Sequence, residues 1–233
     1  MSDYAYRIVN VFAVPGQPLT GNPLCVFEAG SGLSDRTMQA LALQLNLSET
    51  TFILPSERAD ARVRIFTPTF EMPFAGHPTL GTAHVLRALT GKATLQLEML
   101  AGLIGVRSDG DRWTLRANAP STRPVEASRA QLAQMLGLDE DDVSEPALWV
   151  NTGSEQLIVP LTSAAAVERC RPVGELLQQY GKLHEGRYLV YVFAQTGERD
   201  VRARFFFDKN GQVIEDPATG SACANLGGYF WQL

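Results

Sequence analysis

The chain has 233 residues, of which 45% are hydrophobic and 19% charged, and its formal net charge at pH 7 is −5. This composition excludes a disordered chain, and the lack of a basic run argues against nucleic acid or an anionic membrane as a partner. Its three cysteines are too few and too scattered for a disulfide framework or a CxxC metal site. We expect a cytoplasmic protein without a signal peptide or membrane span, built as one large domain or two small ones.

The first part of the chain alternates predicted strands and helices. Ser34 is a typical N-cap, and the apolar residues after it recur at helical spacing, which predicts a helix from this point. A second helix is predicted over residues 78–89, because a proline begins it and Gly91 follows its end. Strands rich in Val, Ile, Phe and Tyr are predicted at residues 6–12, 23–28, 50–54, 61–66, 93–100, 103–107 and 113–117.

The middle of the chain reads as a linker, because residues 118–127 contain two prolines and short polar residues without an apolar period. We therefore predict a first domain over residues 1–118, a linker over 119–127 and a second domain over 128–233. The second domain is predicted to contain helices at 128–137, 164–170, 174–180 and from Pro217, and strands near 147–151, 156–159, 188–194 and 201–207.

Two octapeptides indicate an internal repeat. GHPTLGTA at residues 76–83 and EDPATGSA at residues 215–222 align at an offset of 139 residues. This alignment pairs the prolines, the second glycines, and His77 with Asp216, and an alternating Arg-x-Arg-x-Phe segment precedes each octapeptide. Self-similarity of this kind predicts a duplicated unit and hence two similar halves.

The repeated motif has the chemistry of an anion-binding helix start. A proline in the first turn leaves backbone N–H groups unpaired, and Gly81 and Gly220 allow close approach. Two such helix starts facing one cleft would bind a small carboxylate without a metal. Packing alone explains either motif, but the pairing of His77 with Asp216 favours a function. His77 and His84 lack a third ligand at metal spacing, so we predict no metal site.

Four motifs together resemble the PhzF-like, phenazine-biosynthesis isomerase family. They are Gly21-Asn22-Pro23, Ser48-Glu49-Thr50, GHPTLG at residues 76–81 and the octapeptide at 215–222. The resemblance extends over residues 6–229 and implies an α+β fold like that of diaminopimelate epimerase. Such a fold has two similar halves, each a mostly antiparallel sheet or barrel wrapped around a central helix, with the site in the cleft between them. The resemblance also implies a homodimer and chemistry without a cofactor.

The same resemblance assigns roles to individual residues. Glu49 matches the catalytic acid/base, and His77 and Asp216 match residues that bind substrate or assist proton transfer. The matching substrate-binding residues are Asn22, Gly76, Gly81, Gly220 and Ser221. The predicted enzyme is therefore a cofactor-independent isomerase that moves a proton between carbons of a small carboxylate-bearing metabolite.

A group that takes a proton from one carbon and returns it to another works best in surroundings that tune its acidity. We expect Phe52, Phe66 and Phe74 to form apolar walls around Glu49.

Two alternatives remain open at this point. A two-thiol racemase would use Cys25 and Cys223, although the repeat does not align these two cysteines with each other. A non-catalytic protein of the same fold would keep the binding site without turnover. Relatives also usually continue well beyond the last motif, whereas this chain stops at Leu233, so we expect the second half to be shortened or the recorded chain to be incomplete.

Overall fold

The chain forms two units, Met1–Arg116 and Ala117–Leu233, and each contains its own sheet. The computed structural model describes residues 3–183, 186–209 and 211–233. The longest helix has 15 residues, and within these described ranges no helix combines the length and hydropathy of a membrane span.

The first unit contains helix α1 (Asp35–Leu45) and helix α2 (Gly76–Thr90). Its strands are β1 (Tyr6–Val11), β2 (Asn22–Phe27), β3 (Thr50–Leu54), β4 (Ala61–Phe66), β5 (Glu71–Met72), β6 (Thr94–Met99), β7 (Gly102–Asp109) and β8 (Arg112–Leu115). They pair in the order β1-β2-β3-β4-β6-β7-β8, and β5 also pairs with β4. The β2–β3 and β4–β6 pairs are parallel and the others antiparallel.

Capping residues and the apolar pattern explain both helices. The Ser34 side chain accepts a hydrogen bond from the Thr37 N–H at the start of α1, as the N-cap prediction requires. Gly91, in the left-handed region with φ 75°, ends α2. Helix α2 contacts β1 to β4 and also β8. Because these include both end strands of the sheet, the sheet wraps around α2.

The second unit contains helices α3 (Arg129–Leu136), α4 (Ala164–Arg169), α5 (Gly174–Tyr180) and α6 (Gly220–Gln232). Its strands are β9 (Ser121–Pro124), β10 (Leu148–Asn151), β11 (Glu155–Pro160), β12 (Leu189–Gln195), β13 (Val201–Lys209) and β14 (Gln212–Asp216). They form one sheet in the order β14-β13-β12-β11-β10-β9, in which only β11–β12 is parallel. Helix α6 packs against β9, β10 and β11.

The two units share one connectivity. The series β1-β2-α1-β3-β4-β5-α2 corresponds to β10-β11-α4/α5-β12-β13-β14-α6, and the strand pairs are antiparallel, parallel, antiparallel and antiparallel in both. This equivalence confirms the predicted fold class: two similar halves, each a mostly antiparallel sheet around a central helix.

Matching side-chain contacts show that the register of the repeat predicted from the sequence was wrong. Arg64 donates two hydrogen bonds to Glu71, and Arg204 makes the same bidentate contact with Glu215. Each arginine also lies over a phenylalanine two positions along its strand, at 5.0 Å in the first half and 4.6 Å in the second. Glu71 therefore corresponds to Glu215, at an offset of 144 residues instead of 139.

This register changes which residues are equivalent. The central helices begin at Gly76 and Gly220, so His77 corresponds to Ser221, and Asp216 corresponds to Met72. The cause is hairpin length: Glu71 follows Phe66 by five positions, whereas Glu215 follows Phe206 by nine, although both pairs lie opposite each other in their hairpins. Because the shared proline-glycine motif is short, it can be aligned in the wrong register from the sequence alone.

The sequence prediction also missed strands β14, β5 and β9. Helix α6 begins at Gly220 and not at Pro217, because the Glu215-Asp216 pair completes strand β14, which the sequence analysis did not identify. The short strand β5 was missed as well. Finally, the segment predicted as a linker contains β9, which pairs with β10 as the last strand of the second sheet. Of its two prolines, Pro120 precedes β9 and Pro124 is tolerated because β9 is an end strand.

Candidate active site

In the first half, three chain segments bring Glu49 and His77 together. Strands β2 and β3 are parallel, and the pairing of Cys25 with Thr50 places Glu49, the residue before β3, at the edge of the sheet where β2 begins. His77 is the second residue of α2. Its Nδ1 atom lies 3.3 Å from Glu49 Oε2, and the side chains of His77 and Glu49 are only 6% and 16% exposed.

Burial sets the charge of His77. Because the ring is removed from water, the pKa of His77 falls from 6.5 to about 4, with a smaller opposing effect from the Pro23 backbone. The imidazole is therefore neutral at pH 7. Its Nε2 atom is buried and has no hydrogen-bond partner among the described residues. The arrangement is a carboxylate next to a neutral imidazole, in a largely water-excluded position.

The predicted substrate-binding residues of the first half divide into two groups. Asn22, the first residue of β2, is buried, and Gly76 is the first residue of α2, next to His77. Gly81 faces the sheet instead: a Cβ at this position would lie 2.6 Å from Leu24 Cδ2 and 2.8 Å from Val11 Cγ2. Close packing of α2 against the sheet thus accounts for glycine at position 81.

The three phenylalanines expected around Glu49 lie in two different core clusters. Phe52 and Phe66 belong to a core cluster on the α1 side of the sheet, together with Met38 and Ala42 of that helix. Alternation along β3 and β4 sends their neighbours Ile53 and Ile65 to the α2 side instead. Of the three phenylalanines, Phe74 packs against the α2 cluster.

In the second half, the predicted residues follow one another at the junction of β14 and α6. Asp216 ends β14 and accepts a hydrogen bond from the Thr219 hydroxyl. Gly220 begins α6, and Ser221 is the second residue of the helix, partly exposed to solvent. Ser221 Oγ accepts a hydrogen bond of 2.9 Å from Gln156 Nε2.

Behind Ser221 lies a buried polar network that the sequence analysis missed. Gln156 on β11 is 3% exposed and Asn225 on α6 is fully buried, and the two amides share a hydrogen bond of 2.8 Å. Asn225 also binds Thr152 and Ser154. The available signal was a single amide within an apolar strand (Gln156) and another within an apolar helix (Asn225).

The thiols and possible metal ligands bear on the alternatives. Cys25 is completely buried, and burial raises its pKa to about 11, so it stays a protonated thiol. Cys170 is likewise buried with a pKa of about 12, whereas Cys223 is exposed. Within the described ranges, no group of three or more His, Cys, Asp or Glu side chains is arranged to hold a metal ion.

Comparison with known proteins identifies relatives over nearly the whole chain. Residues 9–233 match the family model described as phenazine biosynthesis-like protein. A protein named as an uncharacterized isomerase in Pasteurella multocida is 42% identical over 232 residues, which cover 98% of this chain and 78% of that protein. A trans-2,3-dihydro-3-hydroxyanthranilate isomerase of Pseudomonas aeruginosa is 39% identical, with coverage of 96% and 78%.

The solved structures agree with these relatives. The crystal structure of the Bacillus anthracis phenazine biosynthesis protein of the PhzF family superposes with a TM-score of 0.87 at 29% sequence identity. The match covers 98% of this chain and 80% of that protein.

Proposed function

Because the chain belongs to the phenazine biosynthesis-like (PhzF) family and is an isomerase of that type, we propose that it moves a proton between two carbons of a small carboxylate, with Glu49 as the acid/base and without a bound cofactor. The observation that carries this proposal is the placement of the Glu49 carboxylate 3.3 Å from a buried, neutral histidine.

The proposed reaction conserves atoms and charge. Glu49 takes a proton from one substrate carbon, the electron pair of that C–H bond forms a new double bond to the neighbouring carbon, and the π pair of the old double bond moves to its far carbon. The protonated Glu49 exchanges its proton with solvent and then gives a proton to that far carbon. One carboxylate performs both steps, and the enzyme returns to its starting state without an oxidant, a reductant or a co-substrate.

His77 is proposed to hold the carboxylate in place. In this structure His77 is hydrogen-bonded to the Pro23 backbone, and we propose that its Nδ1 proton turns to Glu49 Oε2 when substrate binds, which leaves Oε1 to exchange the proton with the substrate. The two atoms lie 3.3 Å apart and do not form a hydrogen bond in this structure. Contacts of this kind often shorten when substrate binds.

The second half argues for one acid/base instead of two. Thr50 pairs with Phe66 in the first half, and Val190 pairs with Phe206 in the second. Thr50 and Val190 are therefore equivalent, and so are the residues that precede them, Glu49 and Leu189. Only the first half carries a carboxylate at this position. We therefore propose a single acid/base at this position and not a symmetric pair.

The second half is proposed to bind the polar groups of the substrate. Asp216 suits an amine or a hydroxyl, and Gly220 and Ser221 suit a carboxylate, as does Asn22 of the first half. The compound in the name of the Pseudomonas aeruginosa relative is a ring that carries a carboxylate, an amine and a hydroxyl. We take this combination as the substrate class.

The experiment uses trans-2,3-dihydro-3-hydroxyanthranilate and protein freed of metal by EDTA, incubated in deuterated water. The expected result is conversion to an isomer of equal composition that carries solvent deuterium at a single carbon. A requirement for added metal, flavin or nicotinamide would contradict cofactor independence. Isomerisation that leaves every carbon unlabelled and is unaffected by substitution of Glu49 would contradict the proposed acid/base.

A further inference from the structure

The orientation of the Asn225 side chain is fixed by its neighbours. Its Oδ1 atom accepts hydrogen bonds from the Thr152 backbone N–H at 2.8 Å and from the Thr152 hydroxyl at 2.6 Å. Its Nδ2 atom donates to the Ser154 carbonyl at 2.7 Å. Because a backbone N–H can only donate and a carbonyl can only accept, exchanging the two ends of this amide would break both kinds of bond.

Asn225 in turn fixes Gln156. The second Nδ2 hydrogen of Asn225 points at Gln156 Oε1, 2.8 Å away, so this oxygen is the acceptor end of the glutamine amide. The donor end, Nε2, therefore faces Ser221 Oγ at 2.9 Å. Gln156 is 3% exposed and Asn225 fully buried, so water does not compete for these bonds.

The polarity of the last bond determines what Ser221 can do. Since Gln156 donates to Ser221 Oγ, the hydroxyl hydrogen of Ser221 points away from Gln156. Among the described residues it has no acceptor, and Ser221 is partly exposed in the first turn of α6. Ser221 is thus prepared to donate a hydrogen bond to a ligand.

We infer that Gln156 and Asn225 are positioning residues that hold the Ser221 hydroxyl as a hydrogen-bond donor to the carboxylate of the substrate. This inference rests on the proposed function, because that function assigns Ser221 to substrate binding. It narrows the group that Ser221 contacts to an acceptor, such as a carboxylate oxygen, and excludes a protonated amine there.

The decisive variant is Gln156→Glu, which keeps the shape of the side chain but replaces its donor by an acceptor. Asn225 still donates to one carboxylate oxygen, whereas Ser221 now turns its hydrogen toward Glu at position 156. Gln156→Met removes the donor without adding charge and leaves Ser221 free to rotate, so its effect is expected to be smaller. Tyr229→Phe is the control. Tyr229 lies in the same helix as Ser221 and donates a hydrogen bond to the Pro146 carbonyl, and its loss leaves the hydrogen bonds between Asn225, Gln156 and Ser221 intact.

The test measures binding of anthranilate, the aromatic parent of the relative's named substrate, by calorimetry, and thermal unfolding of each variant by circular dichroism. Gln156→Glu and Ser221→Ala are each expected to weaken binding roughly tenfold or more, as for loss of one hydrogen bond to a charged group. The double variant should bind no more weakly than Ser221→Ala alone. Tyr229→Phe should lower the unfolding temperature and leave affinity unchanged.

Three results would overturn the inference: wild-type affinity in Gln156→Glu, additive losses in the double variant, or no binding of anthranilate by the wild-type protein. Glu49→Gln separates this inference from the proposed function. Suppose that Glu49→Gln still isomerises the substrate while Gln156→Glu, Ser221→Ala and the double variant bind anthranilate as expected. The acid/base role of Glu49 is then wrong, and the positioning role of Gln156 and Asn225 stands.

Discussion

His77 and Ser221 occupy the same position in the two halves, each as the second residue of its central helix and directly after a glycine. Their partners differ, because His77 lies beside the carboxylate of Glu49, whereas Ser221 accepts a hydrogen bond from the amide of Gln156. One half of the duplicated framework thus carries a buried histidine beside a carboxylate, and the other carries a serine that is hydrogen-bonded to an amide.

The buried His77 should make the protein less stable in acid. Its pKa is about 4 in the folded protein and near 6.5 when unfolded, so between these values the unfolded chain binds a proton that the folded chain does not. Stability therefore falls as the pH drops from about 6.5 to 4, by about 3 kcal/mol in total. Urea unfolding at pH 7 and pH 4.5 should show this loss in wild type and a smaller one in His77→Gln. An equal loss of unfolding free energy in wild type and His77→Gln would show that the lowered pKa of His77 does not cause the acid sensitivity.

Two neighbouring glycines of α6 should respond oppositely to alanine. A Cβ on Gly227 meets no atom within 4 Å, so Gly227→Ala should stabilise the helix by about 0.5–1 kcal/mol. A Cβ on Gly228 would lie 2.8 Å from Pro120 Cβ and 3.1 Å from Thr152 Cγ2, and Gly228→Ala should destabilise by about 1–3 kcal/mol. Denaturant unfolding of both variants is the measurement, and effects of the same sign would contradict the packing of α6.

Gly81 tests whether a predicted ligand contact is instead a packing position. Gly81→Ala places a methyl group against Leu24 and Val11, so we expect a loss of about 1–3 kcal/mol of folding free energy. The folded fraction should bind anthranilate with the wild-type affinity. A variant of normal stability and reduced affinity would instead support the substrate-binding role predicted from the sequence.

The cysteines decide the racemase alternative. Cys223 is exposed whereas Cys25 and Cys170 are buried, so alkylation of the folded protein should modify Cys223 alone, as peptide mass spectrometry can determine. Cys223→Ser should keep isomerase activity, because the proposed chemistry uses no thiol. Loss of turnover in this variant, with normal folding, would revive the two-thiol mechanism.

Local signals predicted much of the fold. The predicted helix ends are capped by the expected residue types, serine at the N-termini (Ser34, Ser128) and glycine at the C-termini (Gly91, Gly137). Strands β3 and β4 have the predicted bounds. The register of the repeat was not predictable in the same way, because it depends on the length of a hairpin between Phe206 and Glu215. A short motif does not show that the hairpin before it is longer in one half than in the other.

The candidate site shows the same division. The family resemblance pointed to Glu49 and the repeated octapeptide to His77, but their proximity depends on the parallel pairing of β2 with β3 and on where α2 begins. Gln156 and Asn225 were missed because an amide in an apolar run does not reveal its partner 69 positions away. Such contacts follow from the packing of α6 on the sheet.

The most direct test of the central claim is solvent deuterium incorporation by Glu49→Gln beside a matched control, Glu57→Gln, whose carboxylate is exposed. Both proteins are incubated with trans-2,3-dihydro-3-hydroxyanthranilate in deuterated water, and substrate and product are followed by NMR. The account predicts that Glu57→Gln converts and labels the compound at the wild-type rate, while Glu49→Gln, correctly folded and still able to bind anthranilate, does neither. Conversion and labelling by Glu49→Gln at the wild-type rate would contradict the account.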